Sequence, residues 1–386
     1  MKTSSFVIFI SIALGIYTLG NVYIFYHGYQ AVGNIKWLRI IYIFAFLICY
    51  LAYIAARFLQ SRGDTLLTNC LLTVGSFWMA AIIFFLLICL GIDIIRLANH
   101  FLKIEPDFII RNYQKVKLIL FFASIALVTV LMVYGYINAH KPVVKDITFD
   151  ISKPKGNSKT INVVMLSDIH LGLFSKGEWF DDIVNKINAL DPDVVLLVGD
   201  VIDEDIKPVI NQNLGEQLKN IKSKYGVYAV TGNHEYIGGV EPAVKYLSEH
   251  NLIMLRDSSV LINNDFYIIG REDRDKVRFT GEDRKPLDEI LKDVDVSYPV
   301  ILMNHQPFNL RELEGKKVDI SLSGHTHHGQ FWPNNIVTNM IYEVSRGYLF
   351  RYGTHIYVSN GIGTWGPPIR IGNTPEIIHL TININH

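Results

Sequence analysis

Five short blocks of the chain carry residue types that hold hard metal ions and move protons. Ser167-Asp168-Ile169-His170 sets a carboxylate and an imidazole two residues apart, a spacing that lets both face one ion. Gly199-Asp200-Val201-Ile202-Asp203 sets two carboxylates just past a glycine turn. Thr231-Gly232-Asn233-His234-Glu235 offers a neutral amide oxygen, and His234, adjacent to it, points elsewhere and suits a proton donor better than a ligand. His305 stands at a strand end before Gln306-Pro307. Ser323-Gly324-His325-Thr326-His327-His328-Gly329 packs three histidines into four residues, which has no use in packing. Each block alone has a plain reading: a capping aspartate, an asparagine turn, a satisfied loop histidine, a surface histidine cluster. Together Asp168, His170, Asp200, Asn233, His305, His325 and His327 supply the donors that two divalent ions about 3.5–4 Å apart would take, with Asp200 as the bridge. Carboxylate oxygen mixed with imidazole suits Mn, Fe or Zn.

Each block follows an apolar run that predicts a strand, at 161–166, 194–198, 227–230, 300–303 and 320–322. The run 194–198 is valine and leucine throughout and stops on Gly199. Such a run reads as a strand buried on both faces, and its C-terminal rim is where α/β proteins place their sites. Helical spacing of apolar residues appears at 178–190 (Phe180, Ile183, Val184, Ile187, Leu190), and helices are also predicted at 214–221 and 241–250. Further strands are predicted at 259–262, 266–269, 331–332, 355–359 and 377–382. An α/β first half and a strand-rich second half imply two packed sheets covered by helices.

The first 140 residues differ in kind. Half of the 386 residues are hydrophobic and only 19% are charged, a balance that fits a membrane protein better than a soluble one. Residues 3–35 carry no Asp, Glu, Lys or Arg. Charge-poor runs at 6–26, 37–58, 66–92 and 118–138 are each long enough to span a bilayer at ~20 residues per crossing. We read them as a transmembrane domain of about four helices over 1–140. A further interfacial or re-entrant helix within 96–117, around Phe108-Ile109-Ile110, would change that count. Lys2, Arg57, Arg62, Lys141, Lys145, Lys153, Lys155 and Lys159 fall on one side and Lys36, Arg39, Arg96, Lys103, Arg111, Lys115 and Lys117 on the other. The basic residues are too evenly divided to orient the bundle. Asp64 and Asp93 fall at span ends, which argues against a transport path through the bundle. Residues 141–160, rich in Lys, Pro, Gly and Ser, read as a linker, although 145–151 alternates as an edge strand does. The formal net charge is zero, so no nucleic-acid partner is expected. All three cysteines, Cys49, Cys70 and Cys89, lie in the apolar leader, so no cysteine metal site is expected beyond it.

In order and spacing, Asp168-x-His170, Gly199-Asp200-x-x-Asp203, Gly232-Asn233-His234-Glu235, His305 and Gly324-His325-x-His327 resemble the calcineurin-like metallophosphoesterase superfamily. The resemblance covers about residues 160–385. It implies a four-layer αββα sandwich over 161–386, preceded by the helical transmembrane bundle, and a dinuclear site. One ion would be held by Asp168, His170, Asp200 and His327, and the second by Asp200, Asn233, His305 and His325. His234 would be the catalytic histidine, acting as general acid while metal-bound hydroxide attacks phosphorus, and Asp203 would orient it. The run 360–370, ending Trp365-Gly366-Pro367-Pro368-Ile369-Arg370, with Pro375-Glu376-Ile377, resembles a bacterial membrane-associated branch of UDP-2,3-diacylglucosamine hydrolase/phosphodiesterase-like proteins. His328 stands where that branch is expected to have glycine. The implied function is a multi-pass cell-membrane enzyme that hydrolyses a phosphodiester or pyrophosphate bond, with a lipid-linked phosphoester as candidate substrate. The rival reading is a membrane protein whose phosphoesterase-like domain binds a ligand without turnover. Trp365, Pro367, Pro368 and Arg370 read as an apolar loop suited to a membrane interface, although a packed loop would read the same way.

Overall fold

The structure is a computed structural model and describes residues 3–33, 35–60, 65–175 and 177–385, the side chains of 3–7, 9 and 10 excepted. The chain divides into two compact units, Met1–Tyr134 with Gly366–Pro368, and Gly135–Trp365 with Ile369–His386.

The first unit is helical: α1 (Thr3–Val32), α2 (Lys36–Gln60), α3 (Leu66–Leu102), the short α4 (Asp107–Arg111) and α5 (Tyr113–Ala139), whose last turns pass into the second unit. Among the described residues three of these, α2, α3 and α5, are long and apolar enough to cross a membrane. They contain the spans expected at 37–58, 66–92 and 118–138. The span expected at 6–26 falls on α1, part of whose side chains lie outside the described residues, as do Lys2, Arg62 and Asp64. α3 runs ten residues past its expected end. Asp93 does not stop it, because that carboxylate takes a hydrogen bond from Tyr23 Oη at 2.7 Å and lies 3.1 Å from His27 and 3.2 Å from Arg96. The expected extra helix is α4, with Phe108 and Ile110 exposed.

Among the described residues the second unit holds twelve strands in two six-stranded sheets. Their ranges are β1 (Val143–Ser152), β2 (Thr160–Leu166), β3 (Val194–Val198), β4 (Val227–Val230), β5 (Leu252–Met254), β6 (Ser258–Ile262), β7 (Phe266–Gly270), β8 (Val300–Met303), β9 (Ile320–Ser323), β10 (Gly347–Arg351), β11 (Thr354–Val358) and β12 (Glu376–Asn385). The orders are β1-β12-β2-β3-β4-β5 and β10-β11-β9-β8-β7-β6. Strand periodicity builds the layers. In β3, Val194, Leu196 and Val198 enter the core between the sheets with Ile301, Met303, Ile320 and Leu322. Val195 and Leu197 face the opposite way, against Phe180, Ile183 and Ile187 of α6 (Gly177–Ala189) and Leu247 of the helix Val240–Glu249. Outside the second sheet, Val300 and Leu302 pack on Leu287, Ile290, Leu310 and Leu313. Each fully buried aliphatic side chain contributes ~1.5–3 kcal/mol. The architecture is the expected sandwich of two mixed sheets between helical layers.

Three local expectations change. Within the expected linker 141–160, the alternation at 145–151 does mark an edge strand, and a longer one: β1 pairs in parallel with all ten residues of β12 at the edge of the first sheet, and Phe149 and Ile151 enter the inter-sheet core. The polar run after it is pinned as well. Lys153 Nζ lies 2.9 Å from Asp319, and Asp265 accepts the amides of Asn157 (2.7 Å) and Ser158 (2.9 Å). The strand expected at 331–332 is a single bridge, Phe331 to Ile371, which follows the short turn His327–Gly329. The helix expected at 214–221 is shorter, a single turn at Gly215–Leu218, and another short helix that was not expected, Lys207–Asn211, precedes it.

Candidate metal centre

All nine expected site residues lie just past the C-terminal ends of β2, β3, β4, β8 and β9. The loops after β2 and β3 continue the parallel pairing beyond the strands. His170 N donates to Asp200 O at 3.0 Å, Leu171 N to Val201 O at 2.8 Å, and Asp203 N to Leu171 O at 2.9 Å. This holds Asp168, His170, Asp200 and Asp203 side by side. Gly324 N to His305 O at 2.9 Å does the same for β8 and β9. The loop after β11 then crosses to the first sheet, with Gly363 N donating to Asp168 O at 2.8 Å.

Close approach requires glycine at two of these turns. A Cβ on Gly324 would stand 2.3 Å from Asp168 Oδ2, and one on Gly232 would stand 2.1 Å from Asp200 Oδ1. Five ligand candidates adopt positive φ: Asp168 (54°), His170 (50°), Asp200 (50°), His325 (69°) and His327 (45°). For a residue with a side chain this region costs about 1–2 kcal/mol. Five such residues in one cleft mark a place where the fold spends stability on geometry.

The side chains form linked clusters. Asp168, His170 and His327 converge, with His327 Nε2 3.3 Å from Asp168 Oδ1 and 3.1 Å from His170 Nε2. Asp200, His305 and His325 converge, with His305 Nε2 3.0 Å from Asp200 Oδ2. Asn233 Oδ1 joins the latter group, 2.8 Å from His325 Nδ1. Asp200 Oδ2 also lies 3.9 Å from His170 Nε2, so one carboxylate touches both groups. His234 and Asp203 sit beside them, Nδ1 to Oδ1 at 2.9 Å. Asp203 Oδ1 is also 3.4 Å from His170 Nδ1.

The donor chemistry fits divalent cations. His305 Nδ1 lies 2.8 Å from Val198 O, and a carbonyl accepts only, so Nδ1 carries the hydrogen. In the neutral ring Nε2 is then a lone pair aimed at the Asp200 carboxylate, and it is buried without a hydrogen bond. Such a pair repels unless a positive charge stands between. The titration behaviour agrees. Burial pushes Asp168 up, yet His327 beside it outweighs burial and holds the carboxyl well below the usual range. Burial likewise opposes the charged form of Asp200, and His305 and His234 overcome it. His305 departs from this pattern: Asp200, with Asp168, outweighs burial and drives it well above its ordinary value, so its Nε2 holds a proton toward Asp200 that a metal ion would have to displace. Burial brings His327 down to about 4 against the pull of Asp168, and burial with His305 brings His325 down to about 3. Ionised carboxylates and neutral imidazoles are the forms that bind metal. His234 differs: burial opposes its charge, but Asp200 and Asp203 raise it to about 9, leaving it protonated at neutral pH.

Several residues frame the site whose roles the five blocks did not assign. Glu235 is buried and accepts the amides of Gly232 (2.7 Å), Ile202 (2.9 Å) and Asp200 (3.1 Å), locking two of the turns together. Its place three residues past Gly232, at a helix start, was the available signal. Asp273, after β7, is buried with one oxygen on Gln306 Nε2 (2.8 Å), and burial raises it to about 7. Tyr342 packs on Phe308 at 4.6 Å between centroids and stands 6.2 Å from the His325 ring, with Arg274 4.1 Å over Phe308. These three make an aromatic, cationic wall beside the second cluster. His328 turns away, Nδ1 2.9 Å from Ser345 Oγ.

Arg370 is the main correction. It does not face a membrane interface; it is fully buried, with Nη1 on Asn360 O (2.8 Å) and Asn373 Oδ1 (3.0 Å), Nε on Gly363 O (3.1 Å), and Nη2 3.1 Å from His327 Nδ1. Burial lowers it to about 10. Arg370→Met strands these acceptors and is expected to cost about 3 kcal/mol. The thermal midpoint should fall by roughly 6–12 °C. A shift within error would show that the guanidinium is replaceable.

The comparisons with known proteins agree with this geometry. Residues 161–329 match the calcineurin-like phosphoesterase family, a span that includes all nine site residues. The chain is 30% identical over 385 residues, 98% of both chains, to an uncharacterized metallophosphoesterase of Campylobacter jejuni. It is 34% identical over 257 residues, 64% of this chain and 95% of the relative, to an uncharacterized metallophosphoesterase of Aquifex aeolicus. It is 31% identical over 273 residues, 67% of this chain and 62% of the relative, to a Danio rerio protein named transmembrane protein with metallophosphoesterase domain. Likeness along nearly the whole of one relative, with the matched span enclosing both clusters, carries the assignment: the chain belongs to the calcineurin-like phosphoesterase family.

Proposed function

We propose that the chain is a membrane-anchored, two-metal phosphoester hydrolase, with residues 1–140 as anchor and the remainder as the catalytic part. Asp168, His170, Asp200 and His327 would hold one divalent ion, and Asp200, Asn233, His305 and His325 the other. When bound, the ions would supply Lewis acidity toward the phosphoryl oxygens and an acidified water as nucleophile. His234, protonated and oriented by Asp203, is placed beside the clusters to give its proton to the leaving oxygen. The wall of Arg274, Phe308 and Tyr342 would seat the substrate beyond the phosphorus. One observation carries this reading: the Asp200 carboxylate lies within 4 Å of histidines from both clusters.

The test uses the full chain in detergent with an aryl phosphodiester. Added Mn²⁺ is expected to give turnover and EDTA to abolish it; full activity after metal stripping would sink the two-metal reading and leave a silent binding domain or other chemistry to explain the site.

For the substrate we favour a lipid-borne phosphodiester or pyrophosphate of the UDP-2,3-diacylglucosamine type, acted on at the cell membrane. Support comes from the apolar helices and the resemblance of the tail to that branch. Tethering near a bilayer raises the local concentration of lipid substrates. Trp365, 52% exposed, is available to that surface. In proteoliposomes, lipid pyrophosphate should be cleaved at least about tenfold faster than a soluble UDP-sugar. Equal rates, unchanged by Trp365→Ala, would count against a lipid substrate.

A further inference from the structure

The helical unit contains a cavity of about 540 Å³ between α1, α2, α3 and α5, a volume typical of small-molecule sites. Most of its wall is apolar, including Phe46, Trp78, Phe85 and Phe121, while Gln30, Arg96 and Lys117 gather toward one end. Chain direction explains the gathering. The C-terminal parts of α1 and α3 and the N-terminal part of α5 meet at the same end of the bundle. Along α5 the lining runs from Tyr113 to Ile125, about 18 Å at 1.5 Å per residue. That is slightly more than one leaflet's half of a ~30 Å hydrocarbon core.

The cations at the polar end are unequally satisfied. Arg96 is 3.2 Å from Asp93, and Glu105, the acid of the lining, accepts from Asn99 Nδ2 at 2.8 Å. Lys117 rests 3.4 Å from Gln30 Oε1 and 4.7 Å over the Tyr113 ring, with no carboxylate at ion-pair distance among the described residues. Lys117 stands where the apolar run 118–138 begins, and there its ammonium lines the cavity wall without a carboxylate of its own. Basic pockets between membrane helices suit lipid phosphates.

The geometry points to a bound glycerophospholipid: its phosphate on Lys117 and Arg96, and an acyl chain lying along the aromatic wall toward Trp78. This goes beyond the hydrolase reading, because it requires neither turnover nor the metal centre, and its test reads binding alone.

The experiment is native mass spectrometry of the delipidated full chain, titrated with phosphatidylglycerol or with diacylglycerol of the same chains. One phosphatidylglycerol per chain should bind at least about tenfold more tightly than diacylglycerol. Lys117→Gln should remove most of that preference while diacylglycerol binding stays. Ala45→Phe, which narrows the apolar lining, should weaken both lipids. Inorganic phosphate should not compete. Equal retention of both lipids by the wild type and by Lys117→Gln would overturn the proposal and leave only annular lipid. Displacement by inorganic phosphate alone would overturn the acyl part and leave an anion site. Ala45→Phe binding both lipids as the wild type does would place them outside the cavity, which also overturns it.

Discussion

Asp200→Asn is expected to empty both metal positions and to lower kcat/KM by at least on the order of 10³, about 4 kcal/mol. Asparagine keeps the shape of the side chain, and its oxygen can still accept His234 N, as Asp200 Oδ1 does at 2.9 Å. Only the charge is lost. That charge lies against His305 at 3.0 Å and His170 at 3.9 Å, the two points where the clusters meet. Elemental analysis of purified protein reads metal content directly, and Mn²⁺ should raise the melting temperature of the wild type but not of the variant. Two metals retained with activity lost would move the bridge elsewhere and leave Asp200 with another role.

His234→Asn should separate chemistry from binding. Its ring belongs to neither proposed ligand set, although with Asp203 it also converges on His170, so both ions should remain while turnover falls by about 10²–10⁴. The leaving group supplies a finer reading. A proton donor matters most for an alkoxide and little for p-nitrophenolate, so the deficit should shrink on the nitrophenyl ester. Loss of metal together with activity, or an equal deficit on both esters, would remove His234 from the role of acid. Asp203→Asn should behave differently again. Its Oδ1 touches His170 Nδ1 as well as His234 Nδ1, so metal affinity should also drop, by about 10–100-fold.

The site was legible in the sequence to an unusual degree because its parts are local. A buried strand needs a continuous apolar run, and a ligand at its rim needs only to be the next polar residue after a turn. Asp200 behind Val194–Val198 shows both. His325 and His327 stand two apart at the end of β9, and their type alone excludes a packing role. The helical leader was equally plain, since a span depends on composition over ~20 residues and on little else.

What escaped depends on partners far along the chain. Residues 153–158 look like a linker in isolation and are held by Asp319 and Asp265, more than a hundred positions away. Arg370, in a run that resembles a membrane-facing loop, turns inward because Gly363, Asn360 and His327 converge on it. Side-chain type and short-range period were enough to mark the candidate donor residues, with Asp200 as their link, the strands that carry them and the apolar helices. It took the packed chain to show that β12 inserts between β1 and β2, which nitrogen of His305 is held by Val198, and that Glu235 and Arg370 brace the site. The physical reason is that a buried polar group must find its partner, and where that partner lies is a property of the packed chain.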